Sequence, residues 1–202
     1  MEGIARDSDG RFYLCEEVDR WILRCDPATT NISRLLIEWS LAERFFSPKD
    51  ANASFEGIAV GNGKLYVANE RSAPRILVVD LKTLRLIDNF VIQPATFVWG
   101  ELHYSDLSWF EGALFILARH HRVILKVDPD SHRVLAEYNY REMESGPEAQ
   151  YITQFPTGVM EGLAVQADYF WLVTDNNGLG RVLYPKDIRP TLFKCPRPDT
   201  VK

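Results

Sequence analysis

The chain has 202 residues, 46% hydrophobic and 12% aromatic, enough apolar material for a sizeable core in one or two domains. Its net charge of −5 argues against a general binder of nucleic acid or of anionic membranes. No apolar run approaches the ~20 residues of a membrane span, and residues 1–15, with Glu2, Arg6, Asp7 and Asp9, contain no secretory signal.

The first predicted unit is MEGIARDSDGRFYLCEEVDRWILRCDP at 1–27. It reads as an acidic residue, a short apolar strand, a turn at Gly10, a second strand, a polar loop and a third strand ended by Asp26-Pro27. A fourth strand follows at Ile32–Trp39. The second unit, FEGIAVGNGKLYVANERSAPRILVVDLKT at 55–83, repeats the order with Gly61-Asn62-Gly63 as its turn and Leu84–Ile92 as its fourth strand. The third spans 104–134, with Gly112 at the turn and Val134–Tyr140 as the outer strand. The fourth begins at 159 and uses Ala167-Asp168 as its first turn. Its third strand is expected to open at Arg181, and Pro185, Pro190, Pro196 and Pro198 interrupt its outer strands.

Four strands in each repeat of about 50 residues is the pattern of a β-propeller blade. The expected fold is all-β, a single domain over 1–202 with blades at about 1–40, 55–92, 105–140 and 160–195. No strand precedes Glu2 and the last unit lacks a convincing fourth strand, so the expectation is an open arc, an incomplete ring. A closed four-blade ring and a two-layer sandwich are the alternatives. Cys15, Cys25 and Cys195 cannot all pair within one chain, and either three free thiols or a Cys15–Cys25 bridge fits.

The repeat also places chemistry. Acidic anchors Glu2, Glu56, Asp106 and Glu161 recur at spacings of 54, 50 and 55 residues. Fourteen residues after each stands a partner: Glu16, Glu70, His120 and Asp175. In a blade the start of the first strand and the end of the second are neighbours, so these residues should ring one mouth of the channel. Two compensations for the crowded charge are open. One is a hard cation, calcium, held by Glu2, Glu56, Asp106 and Glu161. The other is internal pairing with the arginines that open the third strands, Arg20, Arg75, Arg122 and Arg181. Glu16, Glu70, Asp175, Asn176, Arg75 and Arg122 are the expected ligand-binding groups, and His120 and Asp106 the expected catalytic ones. Gly3, Gly57 and Gly162, each following an anchor, suit a close backbone approach. His103 and His132 read as exposed loop residues. The long connections 40–54, 93–104 and 139–158 carry aromatics, among them Phe45, Phe46, Trp99, Tyr151 and Phe155, and either shape a pocket or cap blade ends.

The stretches EGIA at 2–5, EGIAV at 56–60 with LYVANER at 65–71, DLSWF at 106–110 and EGLAV at 161–165 resemble the SdiA-regulated family and its relatives, the phytase-like esterase domains. The resemblance covers about residues 1–184. It implies a six-bladed propeller, export from the cytoplasm, association with calcium, and hydrolysis of a small-molecule ester or phosphoester. The functional expectation is therefore a cation-binding propeller that hydrolyses such a substrate. The alternatives are a non-catalytic ligand- or protein-binding propeller, with a structural calcium or an internally paired acidic ring, and a surface interaction module.

Overall fold

The computed structural model describes residues 1–50, 53–96, 98, 100–153 and 158–198; Trp99 and Phe155 lie outside the described residues. The first sheet is β1 (Gly3–Arg6), β2 (Phe12–Cys15), β3 (Ile22–Asp26) and β4 (Asn31–Leu35). The second is β5 (Phe55–Gly61), β6 (Lys64–Asn69), β7 (Arg75–Asp80) and β8 (Arg85–Phe90), and the third is β9 (Tyr104–Phe110), β10 (Ala113–Ala118), β11 (Val123–Val127) and β12 (Val134–Asn139). The fourth has three strands, β13 (Met160–Val165), β14 (Tyr169–Thr174) and β15 (Leu192–Pro196). All pairings are antiparallel between consecutive strands, the blade arrangement of a propeller. No helix among the described residues is long and apolar enough to cross a membrane.

The strand compositions follow from what covers each face. The second and third sheets lie between neighbours, so both faces of β6, β7 and β10 are dry and their sequences are continuous apolar runs. Leu77 and Val79 pack towards the first sheet with Tyr13, Cys15 and Ile22, whereas Ile76 and Val78 pack towards the third with Leu114 and Ile116. A third cluster, around Phe115, Phe170 and Leu172, joins the last two sheets. In β1, by contrast, Gly3 and Ala5 face the second sheet and Ile4, 62% exposed, faces the other way. β1 packs on β5, β5 on β9 and β9 on β13, but β13 and β1 do not pack on each other in this way. The four inner strands together line a channel, with Ile4, Ile58, Leu107 and Leu163 on its wall.

The fourth blade corrects one expectation. Its third strand is not opened by Arg181 but is β15, with Phe193 and Cys195 placed opposite Leu172 and Phe170. The apolar stretch Val182-Leu183-Tyr184 remains exposed in a loop tied down by Arg181, which donates to Glu148 O at 2.8 Å and Thr191 Oγ1 at 2.7 Å. Pro196 ends β15 at its solvent edge, where a missing N–H costs nothing. All three cysteines are free, and burial pushes the Cys15 thiol up to about 12.

Inner strands approach to backbone contact. A Cβ on Gly57 would stand 2.5 Å from Asp106 Cα, and one on Gly3 would stand 2.8 Å from the Glu56 carbonyl oxygen. Asp106 then bridges onward: its carboxylate accepts from Leu107 N at 2.8 Å and from Leu163 N of β13 at 2.6 Å. Ser108 Oγ accepts from Val165 N at 3.2 Å, and Ser105 Oγ donates to Met160 O at 3.0 Å. The third blade's departure from Glu-Gly to Asp-Leu-Ser is therefore a set of side-chain hydrogen bonds between adjacent inner strands.

Gly57→Ala is expected to cost about 1–3 kcal/mol through overpacking against backbone that cannot yield. Asp106→Asn, which turns an acceptor into a donor facing an N–H, is expected to cost about 1–3 kcal/mol. Urea denaturation at neutral pH checks both, as a lowered midpoint with an unchanged slope.

Candidate functional site

Glu2, Glu56 and Glu161 come to one mouth of the channel because each stands at the start of an inner strand. Backbone pairing sets the level: Glu2 N donates to Cys15 O at 3.1 Å, Glu70 N to Ser54 O at 2.7 Å and Asp175 N to Val159 O at 2.9 Å. The β5–β6 register shifts between Phe55 and Ile58, and the β13–β14 register between Met160 and Gly162. Glu56 and Glu161 thus sit in bulges, which re-aim a side chain out of the regular pleat.

The electrostatic hub is Glu70, at the end of β6 and 1% exposed. Its Oε1 accepts from Arg119 at 2.6 Å and lies 3.1 Å from His103 Nδ1; its Oε2 accepts from Arg71. Arg119 spans the mouth and also pairs with Glu161. Arg71 reaches Asp50 at 3.3 Å. A chain of alternating charge, Glu161, Arg119, Glu70, Arg71, Asp50, therefore crosses the mouth.

Two other carboxylates are left over. Burial, then repulsion from Glu70, Glu17 and Glu2, pushes Glu56 up to about 8. Glu17 is also raised, by burial first and then by Glu2 and Glu70, and hydrogen-bonds to Glu56. With its carboxyl pushed up to about 8, Glu56 keeps its proton at neutral pH and lies hydrogen-bonded to Glu17. Glu17 Oε1 is buried and has no hydrogen-bond partner among the described residues. Glu2, Glu17, Glu56, Arg71, Arg119 and Glu161 line a cavity of about 270 Å³. A second cavity of about 280 Å³ adjoins it; Arg119, Glu161, Asp175 and Asn177 line both, and His103 and His120 line only the second.

The remaining sequence-derived residues are placed as follows. Glu16 caps its own loop, accepting from Val18 N at 2.9 Å and Asp19 N at 2.7 Å. Asn176 is buried and donates to Leu179 O and, at 3.0 Å, to Ile188 O. His120 hydrogen-bonds Glu101 O through Nδ1 at 2.8 Å and meets the His103 ring edge-on at 5.2 Å. His103 is thus part of the site network and not an exposed loop residue. The arginines opening the third strands do not pair with the anchors. Arg75 stacks on Phe45 at 3.6 Å and bonds Asn89, Arg20 stacks on Phe46 at 4.4 Å, and Arg122 bonds Glu144. Those loop aromatics cap the blade ends. The charges are instead compensated by Arg71 and Arg119, which sequence reasoning passed over, whereas Glu17 was expected beside the mouth as an added ligand and is found there. The available signal was an arginine directly beside a fourteen-residue partner: Arg71 after Glu70, Arg119 before His120.

The calcium sphere expected from the four anchors does not fit this geometry. Both Asp106 oxygens are taken by backbone N–H groups and Glu161 by Arg119. Among the described residues, no three His, Cys, Asp or Glu side chains converge as metal ligands do.

Comparison with known structures gives the same architecture. The chain is similar to glutaminyl cyclase of Myxococcus xanthus, with TM-score 0.61 and 14% identity over 97% of this chain and 73% of that one. It is also similar to hydrazine synthase of Kuenenia stuttgartiensis, with TM-score 0.54 and 10% identity over 96% of this chain and 48% of that one. Virginiamycin B lyase of Staphylococcus aureus gives TM-score 0.51 and 16% identity over 97% of this chain and 56% of that one. The chain spans about half the length of the last two. No curated protein matches the sequence. The sequence does match a family profile over residues 1–178, and on that match the chain belongs to the phytase-like family, described by the esterase-like activity of phytase.

Proposed function

We propose that the acidic mouth hydrolyses a small carboxylic ester that is uncharged or cationic. The observation that carries this reading is the Glu17–Glu56 pair, two hydrogen-bonded carboxyl groups lining one polar cavity, both raised by burial and acidic neighbours. Environments that push two carboxyl groups apart in pKa separate an acid from a base. Glu17, as carboxylate, takes a proton from water as the water oxygen bonds to the ester carbonyl carbon. The Arg119 guanidinium, on the cavity wall, faces the oxyanion that develops there. When the bond to the leaving oxygen breaks, Glu56 donates its proton to the alkoxide. The proton on Glu17 then passes to Glu56 through their shared hydrogen bond, and the product acid loses its own proton to solvent.

Charge decides between substrate classes. The cavity has Glu2, Glu17, Glu161 and Asp175 against Arg71 and Arg119, with Glu70 behind them. A phosphate monoester would enter as a dianion against this excess. A neutral or cationic ester would not. The second reading is calcium that draws Glu2, Glu17 and Glu56 together, since they do not converge as ligands without it; the unpartnered Glu17 Oε1 and the repulsion acting on Glu56 support it. In that reading calcium displaces the Glu56 proton and lets a phosphoester approach.

Glu56→Gln and Glu17→Gln are each expected to lower kcat/KM for 4-nitrophenyl acetate by roughly 100-fold or more. The wild-type profile should rise as Glu17 ionises and fall above pH 8 as Glu56 loses its proton. Wild-type rates in both variants would sink the reading. Stability gives an independent check. The Glu56 pKa is raised on folding, so its contribution is full below about pH 4 and lost as the pH rises through about 8. Glu56→Gln should therefore melt above wild type at pH 9 and lose that advantage at pH 5.

Without added cation, 4-nitrophenyl phosphate should not be turned over. Calcium titrated into lightly buffered protein separates the two readings. Saturable proton release, absent in Glu56→Gln and accompanied by phosphatase activity, would replace the first reading with the second.

A further inference from the structure

A cleft at the far end of the molecule has a surplus of the opposite charge. The β1–β2, β5–β6 and β7–β8 turns project away from the acidic mouth and bound a cleft of about 760 Å³ between the first two blades. Its wall includes Arg6, Arg11, Arg24 and Lys82, with Tyr13 and Trp109. The acids of the cleft are already engaged. Asp7 pairs with Arg11 Nε at 2.8 Å and accepts from Asp9 N, Arg11 N and the Tyr13 hydroxyl; Asp9 pairs with Arg11. No carboxylate lies within ion-pair distance of Arg6, Arg24 or Lys82 among the described residues. Three cations outside any close ion pair therefore share one concavity with Arg11, a surplus of positive charge that an anion would offset.

The aromatic wall is fixed. Trp109 reaches this cleft from the third blade because Gly61 has no side chain: a Cβ there would stand 2.0 Å from the indole. The indole stacks on Tyr66 with centroids 5.5 Å apart and planes 15° apart. Tyr13 is buried and anchored by its hydroxyl. Arg6 lies over the β1–β2 turn, where Gly10, at φ +86°, leaves room for the guanidinium. The volume lies within the ~300–1,000 Å³ of small-molecule sites. Cations set around a rigid apolar wall suit an oxyanion attached to an apolar body.

We infer that this distal cleft binds a small organic oxyanion, a carboxylate or phosphate held by Arg6, Arg24 and Lys82, with its apolar part against Trp109. The site is separate from the acidic mouth and does not depend on the chemistry proposed there.

The test is calorimetric titration of the full chain with benzoate and with phenyl phosphate at low ionic strength. Saturable binding of at least one probe is expected, and the tighter probe identifies the oxyanion class. Arg24→Ala and Arg6→Ala should each weaken binding tenfold or more, and Arg24→Lys should lose less than Arg24→Ala. Lys82→Ala, at an exposed turn, should weaken binding without lowering Tm. Arg133→Ala, on an exposed turn of the third blade, should change nothing. Affinity should fall as salt is added. The inference is overturned by no saturable binding of either probe, by unchanged affinity in Arg24→Ala and Lys82→Ala, or by equal loss in the Arg133 control.

Discussion

The close approach of the inner strands is the constraint on which the rest depends. Gly57 lets β5 reach the backbone of β9, and Asp106 ties β9 to β13 through the Leu163 N–H. The anchors ride on those strands. Once the backbones are this close, Glu2, Glu17 and Glu56 cannot avoid each other, and the protein answers by leaving a proton on Glu56 and by threading Arg119 between Glu70 and Glu161. The electrostatics of the mouth follow from packing along the channel wall.

That packing also explains which arginines serve the mouth. Arg71 and Arg119 leave the ends of second strands, one strand from the channel. Arg20, Arg75 and Arg122 open third strands, about 4.8 Å further out per strand. From there they reach loops, and Phe45, Phe46 and Glu144 are what they meet. Aromatic side chains in the long connections thus cover the blade ends and hold the second-layer cations away from the site.

The mouth and the distal cleft differ in the sign of their charge surplus. Carboxylates gather where the inner strands begin, and unpaired arginines and a lysine where they turn back. Arg6, Val60 and Trp109 line both the channel and the distal cleft.

The amino-acid sequence alone determined the blades, the shared level of the anchors and the glycines of close approach, because hairpin pairing is local and repeats with a period of about fifty residues. It misplaced one strand, where two apolar stretches compete for one place. Val182-Leu183-Tyr184 is the more apolar, but Leu192–Pro196 became the third strand, because alternation sends Phe193 and Cys195 onto Leu172 and Phe170. The state of each carboxylate was decided by the tertiary structure. Glu56, Asp106 and Glu161 look equivalent in the repeat, yet burial and then acidic neighbours push Glu56 up to about 8, burial pushes Asp106 up to about 8 against the two backbone N–H bonds it accepts, and Glu161 pairs with Arg119. Those differences depend on distances between groups some fifty residues apart, which are set by how the blades pack and not by the pattern within any one of them.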